Sequence, residues 1–353
     1  MAKQAATNES ERAPLSLYRK YRPHEFKDVR GQEAVVSVLE AAIKNKKIAH
    51  AYLFAGGRGT GKTSMARILA RALETSEEDI YEMDAASNRG IDEIRQLRDG
   101  VTTLPFNSAY KFYIIDEAHA LTKDAWGALL KTLEEPPSHV IFVLATTELD
   151  KVPETISSRC QTFRFVNPTA EILKKLVTDV AKKEGASIEP AAAELVALMG
   201  DGSFRDTLGI LQKVLTLSSD TKLTEEEVAK VVGAPSGQTV NEFLEALALK
   251  QPGEAIAKFH EAIAAGSGAQ VFIMLAMQKV RGVLLLRFLP KAADTLAEQF
   301  SIDDIAYLKE LSGTKGAAIN AEVLAQLITA YIETARAPLP QVPLELALYR
   351  LFA

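Results

Sequence analysis

Cysteine is nearly missing from this chain. Cys160 is the only one in 353 residues, so no internal disulfide can form and no cysteine cluster can hold a metal. A reducing, cytoplasmic setting is expected, and zinc is not. A surplus of basic charge is missing as well: 41 Lys and Arg against 46 Asp and Glu leave a formal net charge of −5. That balance excludes a protein that coats nucleic acid through a general positive field, so any contact with DNA has to be local. Long apolar runs are absent too. The longest, Val271 to Met277, falls far short of the roughly 20 residues that span a bilayer. MAKQAATNESERAP at the N-terminus has no apolar signal core. A soluble, non-secreted protein with no membrane partner is expected. What remains is an ordinary globular composition, 47% hydrophobic and 25% charged, in a chain long enough for more than one packed core.

The chain reads as four stretches. Residues 1–14 are polar, small and of mixed charge, as in a disordered tail. From 15 to 167, short β-branched and aromatic runs alternate with helical patterns, the mark of an α/β domain with a parallel sheet and flanking helices. The expected strands are AYLFAG (51–56), IYEMDAA (80–86), KFYIIDEA (111–118), HVIFVLATT (139–147) and QTFRF (161–165). After Pro168 the strands stop. Residues 168–233 carry apolar side chains at helical spacing, in ILKKLVTDVAKKEG, AAAELVALMG and RDTLGILQKVLTL. VVGAPSGQ (231–238) combines Gly, Pro and Ser and reads as a linker or hinge, and 234–353 as a second all-helical block.

GGRGTGKT, Gly56 to Thr63, fits the phosphate-loop pattern, and it lies between an expected strand and an expected helix. Gly56, Gly57, Arg58, Gly59, Thr60 and Gly61 form the loop, whose glycines let backbone N–H groups and the next helix N-terminus face phosphates. Lys62 would reach the outer phosphates of ATP, the Thr63 hydroxyl would ligate Mg²⁺, and Ser64 completes the segment. KFYIIDEAH (111–119) ends an apolar strand in two acids, at the end of the sheet where ligands of open α/β folds bind. Asp116 would hold Mg²⁺ and Glu117 would polarise the attacking water as general base. Acids at a strand end are often merely solvated, and the phosphate loop is what raises this pair above that reading. His119 reads as a structural or solvent-facing side chain, since phosphoryl transfer needs no imidazole here.

Together with YRKYRPHEFKDVRGQE (18–33), HAYLFAGGRGTGKTS (50–64), ALLKTLEEPP (128–137), ATTELDKVPETISSRCQTF (145–163) and GSFRD (202–206), these motifs resemble the AAA+ ATPases. Within them they resemble the clamp-loader subunits of the bacterial DNA polymerase III gamma/tau type, over nearly the whole chain. The resemblance implies a P-loop AAA+ domain over 15–167, an all-α lid over 168–233 and an all-α collar over 234–353. It implies that Tyr21, Arg22 and Pro23 border adenine and that Thr147, at the sensor-1 position, helps orient the water. Capping the strand end is the competing reading of Thr147. It implies that Arg159 is a finger acting on the nucleotide of a neighbouring subunit, against the alternative of a surface ion pair. Arg205 falls at sensor 2, which binds phosphate when the lid closes; an ion pair with Asp206 or Asp201 is its alternative. One departure is that the family usually carries a four-cysteine zinc module where LETSEEDI (73–80) bridges the gap here.

DAASNRGIDEIRQLRD (84–99) resembles the segment whose helix faces duplex DNA in clamp loaders. Arg89, Arg95 and Arg98 are the candidate phosphate contacts, with Arg95 and Arg98 on one helix face; Asp92, Glu93 and Asp99 make an ordinary solvated helix the alternative. The chain stops at LELALYRLFA, where the family's collar ends, so either a gamma-length product without the longer tau extension or a truncated piece of a longer chain is expected. The implied function is an ATPase motor that uses ATP and Mg²⁺ to open and load a sliding clamp onto primer-template DNA. Its implied partners are delta-type and delta-prime-type subunits, copies of itself and the clamp, in a cytoplasmic, nucleoid-associated setting. The alternatives are a nucleotide-binding structural scaffold and another AAA+ DNA motor such as a branch-migration helicase.

Overall fold

The computed structural model describes residues 15–88, 90–218, 220–289, 296, 300, 302–313 and 318–352. The tail expected over 1–14 and the candidate DNA contact Arg89 lie outside these residues. Five strands, β1 (Ala51–Gly56), β2 (Ile80–Asp84), β3 (Lys111–Asp116), β4 (Val140–Thr146) and β5 (Gln161–Phe165), form one sheet in the order β2-β3-β4-β1-β5. All of its pairings are parallel. The three inner strands are apolar between their end residues because both faces are covered. On one face, Tyr52, Phe54, Phe112, Ile114, Ile141 and Val143 pack with Leu39 of the helix Glu33–Lys44 and with Met65 and Leu69 of the helix Lys62–Ala72. On the other, Leu53, Tyr113, Ile115, Phe142 and Leu144 pack with Ile94 of the helix Ile91–Val101 and with Trp126 and Leu129 of the helix Lys123–Glu134.

The strands end sooner than the sequence patterns predict at β2, β3 and β4. At β3 the cause is local: Glu117 takes a left-handed backbone (φ 47°) that leaves the ladder after Asp116. Because β1 lies beside β4, and β4 beside β3, the carboxyl ends of these three strands come together, with Ala55 opposite Thr146 and Ile115 opposite Leu144.

The chain divides into two compact units. The first runs through Ile172 and takes in Gly202–Gly209; the second holds Leu173–Asp201 and the chain from Ile210 on. The second unit is helical but carries one strand pair, Ser187–Ile188 parallel to Lys222–Leu223. That corrects the expectation that strands stop after Pro168; two residues are too few to carry a readable alternation. VVGAPSGQ is a turn between consecutive helices: Gly233 (φ 65°) ends Glu225–Val232, and the Ser236 hydroxyl accepts the Thr239 N–H at the start of Gly237–Ala248.

The helix Ala269–Phe288 is long and apolar enough, by length and composition, to cross a bilayer. Its Phe272, Ile273, Ala276, Val280 and Val283 instead fill the core of this unit. Lys279 interrupts the run, and its ammonium donates to Asn241 Oδ1 and Asp304 Oδ1, both at 2.6 Å.

Candidate active site

The loop after β1 turns through glycines whose conformations few other residues adopt. Gly59 has φ 71° and Gly61 has φ 100°, the latter capping the helix Lys62–Ala72. A side chain on Gly61 would meet nothing within 4 Å, so the mouth of the loop is open. Lys62 is 6% exposed, and its ammonium donates to the carbonyl oxygens of Gly56 and Gly57, each at 2.8 Å. Among the described residues no carboxylate comes within ion-pair distance of it. Burial lowers its pKa, while Glu117 and Asp116 hold it up. A buried cation resting on carbonyls, with open space beside Gly61, suits an anionic ligand. Thr60 is buried and its hydroxyl donates to Gly57 O at 2.9 Å; Arg58 is exposed.

Thr63 Oγ1 donates to Asp116 Oδ2 at 2.7 Å, joining the start of the helix to the end of β3. Asp116 Oδ1 accepts the Glu117 N–H at 3.0 Å. Among the described residues no group of three or more His, Cys, Asp and Glu side chains is placed to hold a metal. Thr63 and Asp116 are hard oxygen donors in contact, a set that fits Mg²⁺ completed by waters and phosphate oxygens. Thr147 Oγ1, just past β4, donates to Glu117 Oε2 at 3.2 Å. His119 is not turned to solvent. Its side chain is 17% exposed and lies between Glu117 and Glu148.

Sequence reasoning missed what braces the loop. A Cβ on Gly59 would strike Ser203 Oγ, and one on Gly57 would strike Asn167 Oδ1. Phe204 N–H donates to Gly59 O at 3.0 Å. Ser203 Oγ also accepts the Asp206 N–H at 3.2 Å, opening the helix Phe204–Leu217. The segment carrying Arg205 is thus pinned on the phosphate loop, and the Arg205 guanidinium lies 5.8 Å from the Tyr18 ring centroid. Among the described residues no carboxylate is within ion-pair distance of Arg205. Arg22 Nε donates to Ser64 Oγ at 2.9 Å, bringing Tyr21, Arg22 and Pro23 to the same helix start. Burial lowers the Arg22 pKa, with Glu82 opposing.

Other candidates lie elsewhere. Arg159 donates to Thr155 O at 2.7 Å and to Glu134 Oε1 at 2.8 Å, and to no residue of the phosphate loop. Arg95 pairs with Asp92 at 3.3 Å and Arg98 with Asp99 at 3.2 Å. All four side chains are exposed, and such pairs hold weakly.

A phosphate loop, a Thr63–Asp116 donor pair and a second acid at the carboxyl ends of a five-stranded parallel sheet define a P-loop AAA+ nucleotide-binding domain followed by helical segments. The RuvB Holliday junction branch migration motor of Thermotoga maritima is similar in fold, with a TM-score of 0.52 and 24% identity over 64% of this chain and 79% of that one. The family described as DNA polymerase III, delta subunit, matches residues 31–90 and 74–169, and that described as DNA polymerase III subunits gamma and tau domain III matches residues 223–353. DNA polymerase III subunit tau of Bacillus subtilis is 38% identical over 84% of this chain and 56% of its own length. The gamma/tau subunit of Mycobacterium tuberculosis is 34% identical over 86% and 57%, and subunit tau of Escherichia coli 33% over 78% and 46%. The chain belongs to the DNA polymerase III gamma/tau family. It spans about half the length of these relatives.

Proposed function

We propose that this chain is an ATPase motor subunit of a clamp loader, which spends ATP to open a sliding clamp and close it on primer-template DNA. The observation that carries the reading is the convergence of Lys62, Thr63, Asp116, Glu117 and Thr147 at one end of the sheet, in a member of the gamma/tau family. Lys62 binds the outer phosphates, and loop N–H groups share their charge. Thr63 and Asp116 hold Mg²⁺, which when bound neutralises charge on the phosphate oxygens. Glu117 takes the proton of the attacking water, and Thr147, by holding Oε2, orients that carboxylate. Tyr21, Arg22 and Pro23 border the base.

Arg205 enters the phosphate site when the lid, 168–233, closes; Ser203 and Phe204 against Gly59 supply the link between lid and loop. Arg159 gives up Glu134 for the phosphate of a neighbouring subunit, where a guanidinium stabilises developing charge. The collar, 234–353, joins the subunits, and delta-type and delta-prime-type chains with further copies of this one are its partners. Arg89, Arg95 and Arg98 contact the duplex backbone without reading sequence. The setting is cytoplasmic, at the nucleoid.

The test is ATP turnover by the chain with its loader partners, with and without clamp and primed DNA. Strong stimulation that Arg159→Ala abolishes supports the motor. Tight ATP binding with a flat response would replace it with a nucleotide-bound scaffold.

A further inference from the structure

The chemistry above leaves His119 without a task, yet its surroundings are specific. The left-handed turn at Glu117 folds the chain back directly after β3, and His119 sits on the short turn Ala118–Ala120 that follows. Its Nδ1 lies 3.1 Å from Thr146 Oγ1 and 3.5 Å from Glu117 Oε2. Its Nε2 lies 3.3 Å from Glu148 Oε1. Glu148 is itself fixed: Lys151 Nζ reaches its Oε2 at 2.8 Å, and its backbone N–H donates to Thr146 Oγ1 at 3.0 Å. The hydrogen bond from Lys151 holds the Glu148 carboxyl below the ordinary range against the opposing effect of burial, and the charges of Lys151 and then His119 add to the lowering. One imidazole therefore spans two carboxylates that follow different strands.

The decisive detail is which oxygen of Glu117 is engaged. Among the described residues, both side-chain contacts of its carboxylate, from Thr147 and from His119, fall on Oε2. Among the same residues Oε1 has no partner. We infer that His119 is a positioning residue for Glu117, anchored on Glu148. One ring edge and the Thr147 hydroxyl fix Oε2, and the rotation that results leaves Oε1 to accept the proton of the attacking water. His119 takes no proton from substrate and touches no phosphate in this scheme. It acts through Glu117, so the inference rests on Glu117 as the general base.

The experiment is hydrolysis by the full chain with its partner subunits, alongside nucleotide affinity and melting temperature. His119→Ala is expected to lower kcat about 10- to 100-fold, the range a misplaced catalytic group costs, with nucleotide affinity unchanged within about twofold. His119→Asn keeps an amide near the Nδ1 position and is expected to restore most of the rate. Glu148→Ala, a half-exposed position that leaves folding intact, is expected to lower kcat less and to add little to His119→Ala. Wild-type kcat in folded His119→Ala or in Glu148→Ala would overturn the inference, as would an equal loss in kcat and in nucleotide binding. Glu117→Gln run in parallel separates the two failures. If it turns over normally, the base assignment falls; if it is dead while His119→Ala and Glu148→Ala turn over at the wild-type rate, only the role of His119 falls.

Discussion

Thr63 and Asp116 satisfy each other through a 2.7 Å hydrogen bond, and Lys62 satisfies itself on two carbonyls. A ligand that takes these groups has to replace bonds of known partners, so binding is an exchange and not the filling of an unsatisfied site. The glycine beneath them admits no side chain. Gly59→Ala places a methyl on Ser203 Oγ at a backbone φ of 71°. It is expected to cost roughly 1–3 kcal/mol, seen as a lower melting temperature, and to weaken nucleotide affinity because the 202–209 segment must shift off the loop. Cys160 offers a second check at this scale. Burial pushes its thiol up to about 12, so the thiolate that alkylating reagents need is scarce. Iodoacetamide labelling at pH 8 is expected to be slow in the native chain and fast in urea.

At the scale of elements, the short connection from the phosphate-loop helix to β2 is secured by one carboxylate. Asp79 is fully buried; its Oδ1 accepts Phe106 N–H at 2.6 Å, and its Oδ2 accepts Asn107 N–H and Ser76 O–H, both at 3.1 Å. Burial alone would raise its pKa, but these bonds outweigh it and hold the group down at about 2. A folded pKa below the unfolded 3.8 means the stabilisation is complete above that value and is lost as pH falls toward 2. Asp79→Ala, which orphans two backbone donors, is expected to lower stability by about 2–3 kcal/mol at pH 7, with the difference in urea midpoint shrinking below pH 3.8. On the neighbouring helix Ile91–Val101, Arg98→Ala is expected to weaken DNA binding equally for all sequences and to reduce the salt dependence by about one phosphate contact. A loss confined to one sequence would rule out a backbone contact.

For the molecule as a whole, the question is which residues work inside one chain and which between chains. Arg159 has no partner in the phosphate loop of its own chain and a weakly held, half-exposed one in Glu134. Arg159→Ala is expected to leave ATP binding by the isolated chain unchanged and to depress turnover of the assembly by at least about 100-fold, as removal of an arginine finger does. Equal turnover in the two assemblies would return Arg159 to the role of a surface ion pair. Gly202–Gly209 belongs with the first compact unit while residues on either side of it belong with the second.

The strands, the phosphate loop and the paired acids were readable from sequence because each is a local pattern. Inner strands of a covered parallel sheet are continuous apolar runs, and the loop needs glycines where φ is positive and a lysine and threonine directly after. Apolar length was read less well, since the helix Ala269–Phe288 is interrupted by Lys279 in sequence yet continuous in the core. What only the tertiary structure decided are meetings between distant residues: Ser203 on Gly59, Asn167 on Gly57, Arg22 on Ser64, and His119 between Glu117 and Glu148. Periodicity reports which face of an element is buried. The order β2-β3-β4-β1-β5 sets which strand ends become neighbours, and it arises from packing among segments far apart in the chain, which no local pattern encodes.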